Sequence, residues 1–84
     1  MDLENTIIQA IAQGCNLDTH RFDRQTELAE LGLDSLNMMT IIADLEGTYR
    51  VEFDPEAVLN LFQARNVAEF IERASDVVNE RLDA

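Results

Sequence analysis

The chain of 84 residues has little positive charge. It contains no lysine and six arginines against 17 acids, which gives a formal net charge of −11. Nucleic acids and anionic membrane surfaces are bound through clustered basic side chains, so neither is expected as a partner. The excess of acids instead favours a basic protein surface as the partner.

Cysteine and long apolar runs are also scarce. Cys15 is the only cysteine, which excludes an internal disulfide and fits a reducing compartment. No apolar run is long enough to span a membrane, and the N-terminus lacks the basic and apolar regions of a signal peptide. The length permits one modest core. We therefore expect a single domain over residues 1–84, located in the cytoplasm.

The residue patterns of catalysis and of metal binding are missing as well. Ser35 lacks the flanking glycines of a G-x-S-x-G elbow, and the only histidine, His20, lies among polar residues with nothing to place it beside the serine. The acids lack the D-x-D-x-D-G spacing of a calcium loop, and no His or Cys cluster suits zinc. The sequence therefore predicts neither an enzyme nor a metal site.

Helical periodicity is present in most of the chain and predicts four helices. Apolar residues recur at helical spacing over 3–13 and 35–49. Asp54-Pro55 predicts the start of a short third helix, and the last helix runs from 67 to about 82. Gly47 is expected to fray or shorten the end of the second helix, because glycine weakens helix interiors. The predicted fold is all-α, with a long first loop.

The loop from 14 to 33 is unusually long for a compact domain, so we expect it either to be functional or to contain short helical turns. Its apolar residues should pin it to the core; these are Leu17, Phe22, Leu28 and Leu31. Further along the chain, Asn66 and Glu69 resemble a capping box for the last helix.

The residues Glu30-Leu31-Gly32-Leu33-Asp34-Ser35-Leu36 set a serine behind an acid at the start of the second helix. Asp34 or Ser35 can cap that helix, and on local grounds most serines in such a place are caps. Negative charge is concentrated around this serine. Residues 25–56 contain one base, Arg50, and eight acids: Glu27, Glu30, Asp34, Asp44, Glu46, Glu52, Asp54 and Glu56.

The segment Leu31-Gly32-Leu33-Asp34-Ser35-Leu36 resembles the phosphopantetheine attachment motif of acyl carrier proteins and related peptidyl carrier domains, and the order of helices is similar over nearly the whole chain. The resemblance implies a small four-helix bundle with a short third helix. It also implies that Ser35, flanked by Asp34 and Leu36, accepts 4′-phosphopantetheine from coenzyme A through a phosphopantetheinyl transferase. A carrier protein of this kind holds acyl groups as thioesters on that arm. We also expect this protein to be a monomer.

In acyl carrier proteins the face of the second helix that begins after the serine meets partner enzymes. The resemblance therefore implies docking to loading, synthase or transferase enzymes with basic patches, through Leu36, Met39, Ala43, Asp44 and Glu46. Alternatively, Met39 and Ala43 only widen the stripe of apolar residues on the second helix that faces the core, here called the core stripe. The fatty acid type has acids where Asn37 and Thr40 stand here, so the sequence resembles polyketide and other specialised carriers more closely.

Two alternatives to a carrier of fatty acid, polyketide or other acyl intermediates remain. One is an aminoacyl or peptidyl carrier, and the other is an unmodified acidic helical adaptor in which Ser35 is only a cap. If the chain carries acyl groups, the core is expected to shelter part of an apolar acyl chain among Ile7, Ile11, Met38, Ile42, Phe62, Phe70 and Ile71.

Overall fold

All four predicted helices are present in the computed structural model, which describes residues 3–83. Their bounds are Leu3–Cys15 for α1, Ser35–Tyr49 for α2, Pro55–Phe62 for α3 and Val67–Asp83 for α4. The prediction for α2 is confirmed at both ends, and α1 extends to residue 15 rather than 13. No described helix is long and apolar enough to cross a membrane. The all-α fold class is confirmed.

The long loop between α1 and α2 contains two 3-10 turns, Thr19–Arg21 and Leu28–Leu31, as predicted. Leu28 is buried, and Phe22 and Leu31 are half-buried against the core. The expected anchoring by Leu17 is wrong, because its side chain is 36% exposed. Leu17 instead closes the end of α1, where its N–H donates to the carbonyl of Ala12 (2.8 Å).

Three backbone hydrogen bonds tie this loop to the start of α4. Leu28 N–H donates to Arg65 O (2.9 Å), Val67 N–H to Thr26 O (3.0 Å) and Ala68 N–H to Arg24 O (2.8 Å). The two segments meet as an isolated antiparallel bridge between residues 27 and 66. These hydrogen bonds join parts of the chain that are distant in sequence, and they therefore fix the segment that leads into α2.

The core consists of apolar side chains from all four helices, the loop and the segment after α2; they are Ile7, Ala10, Ile11, Leu28, Met38, Ile41, Ile42, Leu45, Phe53, Leu61, Ala64, Val67, Phe70, Ile71, Ala74 and Val78. The helices α1 and α2 approach closely at Gly14, where an added Cβ would overlap the Cγ1 atom of Ile41. Glycine at this position is therefore what lets α1 pack against the N-terminal half of α2.

The C-terminal end of α2 is intact beyond Gly47. The helix continues to Tyr49 and closes at Arg50, whose backbone is left-handed (φ 55°) and whose N–H donates to the carbonyl of Glu46. The Glu46 carboxylate also accepts the N–H of Phe53 (2.9 Å). The expected fraying at Gly47 is wrong, because these contacts with Glu46 hold the last turn.

The predicted cap of α4 is present in a shifted form. The Asn66 side chain accepts the N–H of Glu69 (2.8 Å), as a capping box requires. The Glu69 carboxylate accepts the N–H of Arg65 (3.3 Å) rather than that of Asn66. The cap therefore also holds the backbone of the short segment between α3 and α4.

Candidate functional site

The start of α2 is capped by Asp34, not by Ser35. Asp34 Oδ1 accepts the N–H of Asn37 (2.8 Å), and the Asp34 carbonyl accepts the N–H of Met38 (3.0 Å). The Asp34 backbone is extended, as expected for an N-cap residue. Ser35 is thus the first residue of the helix, and its hydroxyl plays no part in the cap.

Ser35 is exposed, and its hydroxyl and backbone N–H are available. Within residues 3–83, no hydrogen bond joins the Ser35 hydroxyl, or the backbone N–H of Ser35 or Leu36, to another group. Unpaired amides at a helix N-terminus, together with the helix dipole, favour an anionic group nearby. The start of α2 therefore presents an exposed hydroxyl beside two donors that suit a phosphate.

The approach to Ser35 depends on a tight turn at Gly32. This residue is left-handed (φ 69°), and its N–H donates to the carbonyl of Ala29 (3.2 Å) at the end of the second 3-10 turn. An L side chain at this φ would be strained although the space around it is open. Leu33 follows and packs against the core. The turn and this contact orient the chain as it enters the motif.

A strip of exposed side chains continues from Ser35 along the outer face of α2. Leu36 is 74% exposed and Met39 is 48% exposed, and Ala43 and Asp44 also face solvent. Met39 and Ala43 therefore do not widen the core stripe. Glu46 differs from the other four predicted docking residues, because it is half-buried and its carboxylate bonds the backbone of Phe53.

The two positions that distinguish this chain from the fatty acid type also lie near Ser35. The Thr40 hydroxyl donates to the carbonyl of Leu36 (3.0 Å), one helical turn earlier. The backbone N–H of Asn37 is taken by Asp34. Neither side chain carries charge, so this part of the helix surface is neutral, with Asp34 and Asp44 as the nearest acids along the helix.

A surface groove of about 410 Å³ lies beside the motif. Its wall comes from the second 3-10 turn and its N-cap residue, the motif, the first part of α2, the last residue of α3 and the segment between α3 and α4; the residues are Glu27, Leu28, Ala29, Leu33, Met38, Phe62, Ala64 and Arg65. Met38 and Phe62 were expected near an acyl chain and do line this groove. Ile7, Ile11 and Phe70 are instead packed in the core. The sequence alone did not indicate Ala64 or Arg65, because the groove joins separate segments.

Cys15 and His20 lie elsewhere in the fold. Cys15, the last residue of α1, is half-buried, and burial raises the pKa of its thiol, which disfavours the reactive thiolate. His20 lies in the first 3-10 turn with its side chain 91% exposed.

Comparison with known proteins gives a family match over residues 5–74, to the model described as a phosphopantetheine attachment site. The chain belongs to this phosphopantetheine attachment family. It is 28% identical over 65 residues to an acyl carrier protein homolog of Mycoplasmopsis pulmonis (strain UAB CTIP), a match that covers 77% of this chain and 89% of that protein. No solved structure gives a significant match.

A second relative is the non-reducing polyketide synthase AC of Didymella fabae, which is 34% identical over 56 residues. The match covers 67% of this chain and only 2% of the synthase. Domains of the phosphopantetheine attachment family carry the 4′-phosphopantetheine group covalently and serve as carriers rather than catalysts. The start of α2 fits this group, since it has an exposed hydroxyl with two free amides beside it.

Proposed function

We propose that this protein is an acyl carrier that holds 4′-phosphopantetheine on the Oγ atom of Ser35. The observation that carries the proposal is the exposed hydroxyl at the first residue of α2, left unused because Asp34 supplies the cap. The family membership supplies the group to be attached. On the described residues, the hydroxyl is accessible to a transferase from outside the fold, while α2 holds its backbone rigid.

Attachment is a phosphoryl transfer to Ser35. The Ser35 Oγ attacks the phosphorus that bears the pantetheine part of coenzyme A, and a new O–P bond forms. The phosphoanhydride bond breaks, 3′,5′-adenosine diphosphate leaves, and the hydroxyl proton passes to a base of the phosphopantetheinyl transferase. The amides of Ser35 and Leu36 then stabilise the phosphate diester. When bound, the arm supplies a terminal thiol that holds acyl groups as thioesters.

We also propose that partner enzymes dock on the exposed strip of α2. Leu36 and Met39 offer apolar contact close to Ser35, and Asp34 and Asp44 offer negative charge to basic patches. Leu36→Asp should slow modification by the transferase, whereas Leu82→Asp, at another exposed leucine, should not. Equal rates for the two variants would contradict docking at Leu36.

The cargo that we propose is an acyl group of a polyketide or other specialised pathway. The names of the two relatives favour acyl over aminoacyl cargo. The neutral Asn37 and Thr40 favour a specialised pathway over general fatty acid synthesis, because charges beside a docking surface decide which partners bind. Ligases that offer fatty acids, malonyl-type units and amino acids test this choice, and exclusive loading of amino acids would overturn it.

We propose that the carrier acts in the cytoplasm as a monomer with one domain over residues 1–84 and no catalytic activity of its own. One continuous core joins all four helices, which supports a single domain. The lone, half-buried Cys15 suits a reducing compartment. Light scattering at several concentrations checks the monomer, and a mass that rises with concentration would contradict it.

Intact mass spectrometry after incubation with coenzyme A and a broad-specificity phosphopantetheinyl transferase tests the attachment. The expected result is a gain of one phosphopantetheine unit in the wild type and none in Ser35→Ala. Ser75→Ala is the matched control, because Ser75 is the only other serine and lies on α4; it should be modified normally. A gain in Ser35→Ala, or no gain in the wild type, would refute the proposal.

If the unmodified adaptor were correct, Ser35→Ala should instead weaken the cap of α2. The Asp34 contact makes this outcome unexpected, since the cap does not involve Ser35. Thermal unfolding of Ser35→Ala therefore adds a second readout. We expect its melting temperature to stay close to that of the unmodified wild type, and a large drop would favour the adaptor.

A further inference from the structure

The groove beside the motif combines an apolar wall with one side chain that can donate hydrogen bonds. Six of its eight lining residues are leucine, alanine, methionine or phenylalanine, and the other two are Glu27 and Arg65. A carboxylate only accepts hydrogen bonds, whereas a guanidinium has five N–H donors. Any polar atom of a ligand in this groove therefore meets side-chain donors only at Arg65.

The backbone of Arg65 is held on both sides. Its N–H donates to the Glu69 carboxylate (3.3 Å), and its carbonyl accepts the N–H of Leu28 (2.9 Å). Arg65 lies in the segment that joins α3 to α4, where the long loop is tied down. The side chain thus extends from a fixed point on the groove wall rather than from a free loop.

The guanidinium of Arg65 is also uncommitted. Arg24 pairs with Glu4, Arg73 with Glu69 and Arg81 with Asp54. For Arg65, no ion pair or side-chain hydrogen bond exists within residues 3–83, although Glu27 lines the same groove. Its donors therefore remain available to a ligand.

These properties select the chemistry of an occupant. The apolar wall suits a hydrocarbon body, and the free donors suit an acceptor oxygen. The formal charges of Glu27 and Arg65 cancel. A neutral carbonyl oxygen can therefore enter the groove without leaving a net charge there unbalanced. Leu33 and Met38, which line the groove, lie on either side of Ser35 in the sequence, so an arm anchored at Ser35 begins beside it.

We infer that Arg65 is a specificity-determining residue that favours acyl cargo with a carbonyl oxygen in its outer part over plain hydrocarbon. The inference rests on the proposed attachment at Ser35. The occupant of the groove is the outer end of the cargo, with its carbons against Leu33, Met38 and Phe62 and its oxygen accepting from the Arg65 guanidinium. The apolar wall alone does not distinguish a carbonyl-bearing acyl group from a plain hydrocarbon chain. The preference comes from the hydrogen bond that Arg65 donates.

The test compares two arms of equal length, hexanoyl and 5-oxohexanoyl, each transferred from its coenzyme A thioester to Ser35. In NMR spectra the Met38 methyl resonance should move with both arms, and the Arg65 Nε–H resonance only with the oxo arm. Thiol exchange with excess 2-mercaptoethanol, which leaves the ketone intact, should cleave the oxo thioester about two- to tenfold more slowly than the hexanoyl thioester, the range expected for one net hydrogen bond.

The variants separate Arg65 from general effects. Arg65→Met, which removes every side-chain N–H donor, should bring the ratio of the two cleavage rates to one, and Arg65→Lys, which keeps a charged donor, should retain part of it. Arg21→Met is the matched control at another exposed arginine, in the first 3-10 turn, and should leave the ratio unchanged. Circular dichroism checks that each variant is folded.

Two results would overturn the inference alone: a loaded oxo arm that leaves the Arg65 resonance unmoved, or an unchanged rate ratio in Arg65→Met. Failure of the transferase to load Ser35 at all would overturn the proposed function, and this inference with it. Mass spectrometry of the loaded protein distinguishes the two cases before any rate is measured.

Discussion

The starts of α2 and α3 use the same cap and yet differ in what they leave open. At each, an aspartate Oδ1 accepts the N–H of the residue three positions on, at 2.8 Å: Asp34 from Asn37, and Asp54 from Ala57. The next residue is Ser35 in α2 and Pro55 in α3. Proline has no N–H and no polar side-chain atom, so α3 offers no comparable group to a ligand.

The two aspartates also differ in their surroundings. The Arg81 guanidinium of α4 donates to Asp54 Oδ2 (2.8 Å) and to the carbonyl of Glu52 (3.2 Å). The N–H of Ala57 and then Arg81 hold the pKa of Asp54 below its ordinary value. Asp34 has no ion pair within residues 3–83. The comparison shows that a cap determines where a helix begins. The groups around the cap determine whether a ligand can reach the first residues of that helix.

The largest effect is expected from the packing behind α2. Gly14→Ala places a Cβ against Ile41, and such overpacking costs about 1–3 kcal/mol, more than the gain of up to about 1 kcal/mol from replacing glycine in a helix. Urea unfolding should show lower stability. Gly47→Ala is the control, because no atom lies within 4 Å of its added Cβ, and it should gain roughly 0.5–1 kcal/mol. Equal stability of the two variants would contradict the close contact at Gly14.

Removal of the caps compares the two helix starts directly. Asp34→Ala should destabilise the protein by about 1 kcal/mol and slow the modification of Ser35, because the first turn of α2 frays. Asp54→Ala should also lower the melting temperature but should leave the modification rate unchanged. Thermal unfolding and a transferase assay give the two readouts. The comparison fails if both variants slow the transferase equally.

The pH dependence of stability tests the difference between the aspartates. Because the pKa of Asp54 is lowered in the folded state, its ionised form stabilises the fold above the pKa of the unfolded chain. That contribution is lost as the pH falls through the lowered value. The stability difference between wild type and Asp54→Asn should therefore shrink on acidification. Urea unfolding at several acidic pH values measures it, with the exposed Asp76→Asn as control; a constant difference would contradict the shift.

The last variant is expected to show no modification at all. Pro55→Ser, combined with Ser35→Ala, puts a hydroxyl after the capping aspartate of α3 and so imitates the local chemistry of α2. We expect no phosphopantetheine gain by mass spectrometry, because Glu56 rather than an exposed leucine follows the new serine and Arg81 pairs with the capping aspartate. Modification of this double variant would show that the cap and the hydroxyl alone are sufficient.

Much of the fold was predictable because its signals are local. The apolar spacing of α2 predicted both ends of the helix, and Asp54-Pro55 predicted the start of α3. The motif that contains Ser35 also predicted the family, since its residues are contiguous in the sequence.

The predictions that were wrong involve contacts between distant residues. Gly47 does not fray α2, because Glu46 binds the backbone of Phe53 beyond the end of the helix. Leu17 is apolar and yet exposed, and it lies in the turn that ends α1, where its N–H donates to the carbonyl of Ala12. Whether a residue is apolar, and how strongly it favours a helix, depends on that residue alone. Whether its side chain is buried depends on which other parts of the chain pack against it.

The sequence by itself determined the all-α class, the positions of the helices and the serine that begins α2, because periodicity, capping and a short motif act over a few neighbouring residues. Only the tertiary structure decided that Asp34 rather than Ser35 is the cap, that Met39 and Ala43 face solvent, and which residues form the groove. The backbone bonds between residues 24–28 and 65–68 bring Arg65 beside the motif, and no local pattern encodes a contact between segments so far apart.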